Sequence, residues 1–546
     1  MLAGINPDEI QDIEEARQVI KLLLNLLEEF RSENDALRKE VQALRDEINR
    51  MKGEQGKPDV KPGKKSAGQD HSSEKERRRS RQWRKTSKVD KIKIDREEKL
   101  KVDRRELPPD AVFKGYEAVV VQDIRVKTDN VRFLKEKFYS ASQRQTYLAP
   151  LPGGYQGQFG PGMRALVLTL YHAAGMTEPK ILEFLSFFGL SVSAGQLSAM
   201  LTKEQQPWHR EKDDIYRAGL ESSEWQHIDD TPTRVDGENH YCHIIGNPLF
   251  SAYFTRPRKD RLTVLGVLQN VSALHFLLNE QTADWLETFA LPQWARRVIA
   301  QWPHHQRMDY EQIKTLINVD LHKLGEQQQA RVLEAAALSE WYAQTRMPVV
   351  SLLVSDDASQ FRFITPEQAL CWVHEGRRYK KLTPFLKYHR QLTDEFRARF
   401  WDFYHKLRLY RSQPSDEQTT ILRREFDTLF STVTGYDRLD KRVAKTRSRK
   451  ERLLAVLEHP EIPLHNNPAE LAARQRVRKR DISFGPRSTD GTAAWDTFMT
   501  LTETTKKLGV SFYAYIYDRL SDTNALPSLA DIIRQRSPAI HPTITA

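Results

Sequence analysis

The sequence predicts an α/β chain with large helical additions. Three observations predict it. Short apolar, β-rich stretches (Glu224–Ile228, Tyr241–Asn247, Leu249–Thr255 and Pro348–Ser355) are separated by long segments of helical periodicity. Two of these stretches end in acidic pairs, Asp229-Asp230 and Asp356-Asp357. A heptad pattern opens the chain over residues 9–52.

In the heptad, Ile13, Ile20, Leu27, Asn34, Val41 and Ile48 fall at a, and Ala16, Leu23, Phe30, Leu37, Leu44 and Met51 at d. β-Branched a residues with Leu at d favour a parallel dimer, and a single Asn at a fixes its register. The g-to-e pairs Glu33–Arg38, Glu40–Arg45 and Glu47–Lys52 are of opposite charge, as a parallel pair requires. Val19, Leu24 and Leu26 widen the apolar face of the first heptads, so that end is expected to bury more than a two-helix seam. A single amphipathic helix packed on its own protein is the other reading.

Residues 53–73, rich in Gly, Pro, Lys and Ser, predict a flexible linker. From Lys75 to Lys93 ten basic residues stand against Glu76 and Asp90. Such a run neutralises phosphates without reading sequence. Arg77, Arg78, Arg79, Arg81, Arg84 and Lys85 are its candidate DNA contacts, with Trp83 a candidate base stacker; a merely solvating arm also fits.

A β-like stretch, Tyr116–Val126, leads through an irregular run to a Gly-rich loop over 153–162. Helices are expected over Met163–Ala174, Glu178–Phe188 and Ala194–Lys203, the last capped by Ser193. The helix, Gly189 turn, helix rhythm fits a helix-turn-helix or an ordinary helical hairpin. Strands follow from Glu224, then a helix from Asp260, and a helical, polar-amphipathic stretch over 280–345 that reads as an insertion. After the Pro348–Ser355 strand comes a further strand, Gln368–Val373, and then a basic helical segment over 377–458. The tail alternates a helix from Asn467, the Gly485-Pro486 turn and a helix from about Gly491 to Leu508.

Composition narrows the classes. Net charge is +11, with a pI near 9.3, and suits a polyanionic partner, though solubility alone also accounts for it. Two cysteines, Cys242 and Cys371, exclude a disulfide framework and fit a reducing compartment. No run of about 18 apolar residues is present, so no membrane span is expected. Residues 1–9 lack the basic and apolar regions of a secretory signal, which points to the cytoplasm.

The strand order is that of a ribonuclease-H-like core interrupted by two helical insertions. In that architecture one acid lies on the central first strand, one ends the neighbouring fourth strand and one sits on a later helix. Asp229, Asp356 and Glu470 occupy those places. Three carboxylates brought together can hold two Mg²⁺ (or Mn²⁺) ions, the apparatus for in-line attack on a phosphodiester. Singly, each has a plainer role. Asp229-Asp230-Thr231-Pro232 reads as a turn, Asp356-Asp357 as a cap, and Glu470 as the partner of Asn467 in a capping box.

The segment His465-Asn-Asn-Pro-Ala-Glu470-Leu-Ala-Ala-Arg474, then Arg478-Lys-Arg480, Phe484-Gly-Pro-Arg-Ser, Thr504 and Gly509-Val510, resembles the C-terminal signature of insertion sequence 66 family transposases. Ile228-Asp229-Asp230-Thr231-Pro232 is similar to that family's first-acid motif and Leu353-Val-Ser-Asp356 to its second. Cys371-Trp-Val-His374-Glu-Gly-Arg377-Arg378-Tyr379 resembles its Trp-x-His-x-x-Arg-Arg segment. The family's cysteine cluster after the coil has no counterpart here, so no zinc is assigned. Residues 275–345 are longer than usual, Asp357 stands where Gly is usual, and Leu471 follows Glu470.

The resemblance implies a DDE-type transposase: Mg²⁺-dependent cleavage at transposon ends, then joining of the freed 3′-OH to target DNA. Asp229, Asp356 and Glu470 would be catalytic and metal-binding; His374, Arg378, Arg474 and Arg478 would contact DNA. The expected partners are double-stranded DNA, a homodimer or higher oligomer through the coil, and accessory proteins, in a nucleoid-associated bacterial protein. A nuclease on the same core and a binding-only protein are the alternatives. The expected layout begins with a coiled-coil dimerisation helix (1–52), a basic arm (53–107) and a helix-turn-helix-like DNA-binding region (108–220). The first core segment (221–269), a helical insertion (270–346) and the second core segment (347–379) follow. A basic helical insertion (380–463) and C-terminal core helices with tail (464–546) complete it.

Overall fold

The heptad segment forms one helix, α1 (Ile13–Met51), in a computed structural model that describes residues 12–51, 92–103, 105, 107–124, 127–155 and 157–537. The linker over 53–73 and the arm residues Arg77, Arg78, Arg79, Arg81, Trp83, Arg84 and Lys85 lie outside the described residues. The a and d side chains of α1, among them Ile20, Leu27, Phe30, Leu37, Leu44 and Ile48, are exposed. Val19, Leu24 and Leu26, which widen the apolar face, are half-buried. Thus α1 turns a different face to its own chain than the heptad seam.

No strand forms over 116–124, since its alternating Val119 and Val121 find no partner strand and stay exposed. The β-structure of this region is instead a small hairpin, β1 (Lys137–Ser140) with β2 (Gln145–Leu148), which the sequence pattern does not announce. Helix α2 (Pro161–Leu168) runs into a π turn (Thr169–Ala173), followed by α3 (Glu178–Ser186) and α4 (Ala194–Thr202). Ser193 caps α4 through a capping box with Gln196. Helix α4 buries Leu197 and Leu201 and packs against α2 and α3.

The next helix, α5 (Gln206–Glu221), has no counterpart among the expected elements. Its Glu211 accepts a hydrogen bond from the Tyr515 hydroxyl. Burial pushes the Glu211 carboxyl up from 4.5 to about 7, against the pull of Arg519. The folded protein therefore keeps a proton that the unfolded chain loses, and stability falls as pH rises from about 4.5 to 7. Glu211→Gln is expected to flatten that slope and to add about 1–2 kcal/mol at pH 8, read by thermal melts across the range.

Five strands make the main sheet: β3 (Trp225–Val235), β4 (Glu238–Gly246), β5 (Ser251–Arg256), β6 (Leu352–Ser355) and β7 (Glu367–Leu370). Their order is β5-β4-β3-β6-β7. Strand β4 runs antiparallel to both its neighbours, β3 and β5, and β6 and β7 run parallel to β3. An Asp236-Gly237 turn, both residues at positive φ, joins β3 to β4. Strand β3 continues well past Asp229, where it was expected to end. Strand β6 pairs only with residues 225–227. Pro232 therefore sits where β3 has one neighbour, and the N–H it lacks is not missed.

Between β5 and β6 lie α6 (Arg261–Leu268), capped by Asp260, and four further helices: α7 (Glu280–Thr288), α8 (Gln293–Ile299), α9 (Tyr310–Asp320) and α10 (Glu326–Ala343). After β7 come α11 (Trp372–Lys380), α12 (Lys387–Tyr410), α13 (Asp416–Phe430), α14 (Asp437–Arg447) and the one-turn α15 (Lys450–Leu453). The chain closes with α16 (Asn467–Ser483), α17 (Thr489–Leu508), α18 (Phe512–Leu520) and α19 (Leu529–Arg536). Residues 371–373, expected to extend a strand, are the cap and first turn of α11. No helix among the described residues is long and apolar enough to cross a membrane.

The sheet separates two cores. Leu353 joins the one built from α2–α10 and α17–α19, which also takes in Ile228 and Phe254. Leu352, Val354 and Trp225 join the other, an aromatic core in which Phe400, Phe403, Phe426 and Phe430 gather around Trp372. Alternate residues of β6 thus serve opposite cores, as the period of a strand dictates.

Helix α17 covers the free edge of β5. The backbone N–H groups of Ser251, Tyr253 and Thr255 donate to Thr504 Oγ1 (3.4 Å), Thr500 Oγ1 (3.1 Å) and Asp496 Oδ2 (2.6 Å). Two residues of strand advance about 6.6 Å and four of helix about 6 Å, so the two periods match over this length.

Helix α1 docks on the second helical segment through polar groups. The buried Glu28 carboxylate accepts from the N–H groups of Phe385 (3.1 Å) and Leu386 (2.7 Å), at the start of α12. Asn25 Nδ2 donates to Gly435 O and its Oδ1 accepts the Asp437 N–H, and Arg31 lies over the Phe385 ring. A carboxylate is favoured at a helix N-terminus. Glu28→Ala is expected to cost about 2 kcal/mol and to free α1, read as faster hydrogen exchange over residues 13–51 with the sheet unaffected.

Candidate active site

Strand register brings the first two acids together. Trp225, Gln226 and His227 stand opposite Leu352, Leu353 and Val354. The same register continued by two residues sets Asp229 level with Asp356, just past the end of β6. The Asp356 carboxylate accepts the Ala358 N–H (3.0 Å), which turns the chain away from the sheet. Asp229 accepts the N–H of Asp230 (2.9 Å).

Glu470 comes from α16, which lies against β3 and β4. The capping box expected between Asn467 and Glu470 does not form. Asn466 is the N-cap, Asn467 and Pro468 are the first helical residues, and no side chain caps the helix. Asn466 instead points into the sheet. Its Nδ2 donates to Ile228 O (2.7 Å), its Oδ1 lies 2.8 Å from His227 Nδ1, and its N–H donates to Cys371 Sγ (3.3 Å). It is fully buried. One side chain therefore ties the residue before Asp229 to the helix of Glu470, and its backbone reaches the start of α11.

The charges of Asp356 and Glu470 both reach Asp229, although among the described residues the three carboxylates do not gather within 4.8 Å of one another. Burial pushes the Asp229 carboxyl up from 3.8 to about 7, and the charges of Asp356, Asp230 and Glu470 push the same way against the Asp230 N–H. Like charges near one another disfavour ionisation, and a cation would relieve the repulsion. Glu470 Oε1 is shielded and has no hydrogen-bond partner, while Oε2 takes Arg377 at 3.2 Å. His374 Nδ1 lies 3.6 Å from Glu470 Oε1, and burial lowers the His374 pKa despite the Glu470 charge.

The remaining predicted contacts divide. His374 stands in the first turn of α11 beside Glu470, not at a strand end. Arg378 is engaged with Asp357 (3.5 Å) and Glu375 (3.2 Å). Arg474 and Arg478 are exposed on α16. It is Arg377, the neighbour of Arg378 in the same motif, that pairs with Glu470.

Asp357 anchors a buried ionic hub, with Arg362 and Arg452 at 2.9 Å and Arg449 in contact. Burial opposes its charge, yet Arg449, Arg362 and Arg452 hold its carboxyl below the usual range. Glu375 joins Arg449 and Arg442 to the same hub. The residue after the second acid thus fastens the second helical segment to the site. Sequence reasoning misses Asn466, Arg377 and this hub, because their roles depend on partners roughly 80 to 240 positions away.

The family described as "Transposase IS66 family" matches this chain over residues 300–494. A protein of Sinorhizobium fredii (strain NBRC 101917 / NGR234), "Uncharacterized protein y4jO", is 34% identical over 330 residues, 59% of this chain and 100% of the relative. The chain belongs to the IS66 transposase family. The stretch matched to the IS66 family includes Asp356 and Glu470 and begins after Asp229. No solved structure matches the chain. As an IS66 family member it combines a mixed five-stranded sheet with a predominance of helix.

Proposed function

We propose that this protein is a DNA transposase of the DDE type, with Asp229, Asp356 and Glu470 as its catalytic acids. The observation that carries the reading is the shared field of three acids drawn from β3, the end of β6 and α16. The sheet order, with its first strand central and the fourth parallel beside it, supports a ribonuclease-H-like core. The raised Asp229 carboxyl and the unpartnered Glu470 Oε1 fit a site for two Mg²⁺ or Mn²⁺ ions, held by Asp229, Asp356 and Glu470.

When bound, such a pair supplies Lewis acidity to the attacking and leaving oxygens of an in-line displacement. The chain supplies the rest. Asp229 gives up its proton on entering the carboxylate form. Asn466 and His227 hold β3 and α16 at fixed separation. Arg377 and His374 flank Glu470, where a phosphate would enter. Water's oxygen joins phosphorus as the P–O3′ bond breaks, freeing a 3′-OH. That hydroxyl then joins a target phosphorus as a target P–O3′ bond breaks.

The remaining elements serve assembly on DNA. The basic run from Lys75 to Lys93 is an electrostatic DNA arm, and Arg474 and Arg478 add backbone contacts from α16. The exposed a/d seam of α1 pairs with a second copy in a parallel coiled coil, since its g and e charges complement each other in that arrangement. The work is done on the bacterial nucleoid. The test offers the full-length protein a precleaved transposon end bearing a 3′-OH, with target DNA and Mg²⁺. Joined product supports a transposase; hydrolysis without joining leaves a nuclease on the same core.

A further inference from the structure

We propose that Cys371, His374 and Glu470 form a second, zinc-class metal site at the mouth of the acidic cluster. One ligand atom from each, Sγ, a ring nitrogen and a carboxylate oxygen, lie within 4.8 Å of one another. Cys371 caps α11 and His374 is three residues on, so both point to the same end of that helix. Glu470 reaches them from α16.

Two further observations aim this cluster at an ion. His374 Nδ1 and Glu470 Oε1 are both shielded from water and neither has a hydrogen-bond partner. They face each other at 3.6 Å. Zinc–ligand bonds of about 2.0–2.2 Å set at a tetrahedral angle separate two such ligands by roughly 3.3–3.6 Å. Arg377 occupies only Oε2, leaving Oε1 for a metal. The Asn466 N–H donates to Cys371 Sγ, a bond that strengthens when the sulfur becomes a thiolate.

The donor set separates this site from the catalytic one. Sulfur and imidazole select Zn²⁺, Co²⁺ or Cd²⁺ over Mg²⁺, which takes oxygen. On binding, the thiol loses its proton to solvent and a metal–sulfur bond forms. Three protein ligands leave a fourth position for water. Glu470 is common to both sites, so an ion here withdraws it from the Mg²⁺ pair. This consequence, unlike binding itself, rests on the proposed function: zinc should inhibit cleavage.

The test titrates Co²⁺ and then Zn²⁺ into chelator-treated full-length protein. A thiolate-to-cobalt charge-transfer band in the wild type, lost in Cys371→Ser, is the expected result. Zinc affinity should fall at least about 100-fold in Cys371→Ser and His374→Gln, both checked for folding by near-UV circular dichroism. No thiolate band, or equal zinc affinity in the wild type and a folded Cys371→Ser, overturns the site. Zinc inhibition of Mg²⁺-dependent cleavage, scored against each variant's own zinc-free rate, should be relieved by either substitution. Equal inhibition of wild type and variants overturns the competition alone. Absence of any Mg²⁺-dependent cleavage sinks the proposed function, while the cobalt band still decides the site.

Discussion

Asp356→Asn and Asp229→Asn should each lower Mg²⁺-dependent strand cleavage at least about 10³-fold, because each removes a carboxylate from a metal pair worth several kcal/mol in the transition state. Binding of transposon ends should survive, since the acids contribute nothing to phosphate attraction. Stability should move the other way for Asp229. Its carboxyl is raised from 3.8 to about 7, mainly by burial and then by neighbouring acids. The metal-free folded protein thus holds this proton more tightly than the unfolded chain, and stability is lost as pH rises from about 4 through 7. At pH 8 without metal, Asp229→Asn is expected to be more stable than the wild type by about 2 kcal/mol. Mg²⁺ should raise the Tm of the wild type and leave that of the variant nearly unchanged. A fall in stability with cleavage retained would mark Asp229 as a structural residue of β3.

Asn466→Ala is expected to be the most damaging change outside the acids. It strips partners from Ile228 O and His227 Nδ1, both buried, at a combined cost of roughly 2–4 kcal/mol. It also loosens β3 from α16, so that Asp229 and Glu470 lose their fixed separation. Displacement of about 1 Å at a reacting centre costs on the order of 10² in rate. Cleavage should therefore fall about 100-fold at temperatures where the variant is still folded, with some of the loss recovered at high Mn²⁺ concentration. Equal cleavage rates per folded molecule would reduce Asn466 to a packing role.

Much of this arrangement is legible in the sequence because strands announce themselves by local composition. Asp356 can be singled out since it follows an apolar, β-branched run, and Asp229 since it follows a short stretch with Trp225 and Ile228; β6 and β3 form there. The Asp-Gly pair at 236–237 is a hairpin signal for β3–β4 that the strand assignment leaves unused. Asn466 and Asn467 mislead for a physical reason. An Asn before a Pro at a helix start satisfies the local rules for a cap, and only the fold shows that Asn466 finds stronger partners in β3. Residues 116–124 mislead in the opposite sense, for alternation produces a strand only when another strand lies alongside. Arg377 rather than Arg378 pairs with Glu470 because consecutive helical residues point about 100° apart, and sequence does not say which direction holds Glu470.

The hydroxyl and carboxyl ladder along β5 sets a limit on how this protein can be cut. The stretch shared with the family stops at residue 494, just short of Asp496, Thr500 and Thr504. A fragment trimmed to that boundary would keep Asp356 and Glu470 yet lack the rungs that silence three backbone donors. Were such a piece to retain the sheet, it would present a bare apolar margin to its neighbours and clump through strand addition. Biochemical dissection should therefore keep the chain through at least residue 508, whatever is removed at the other end.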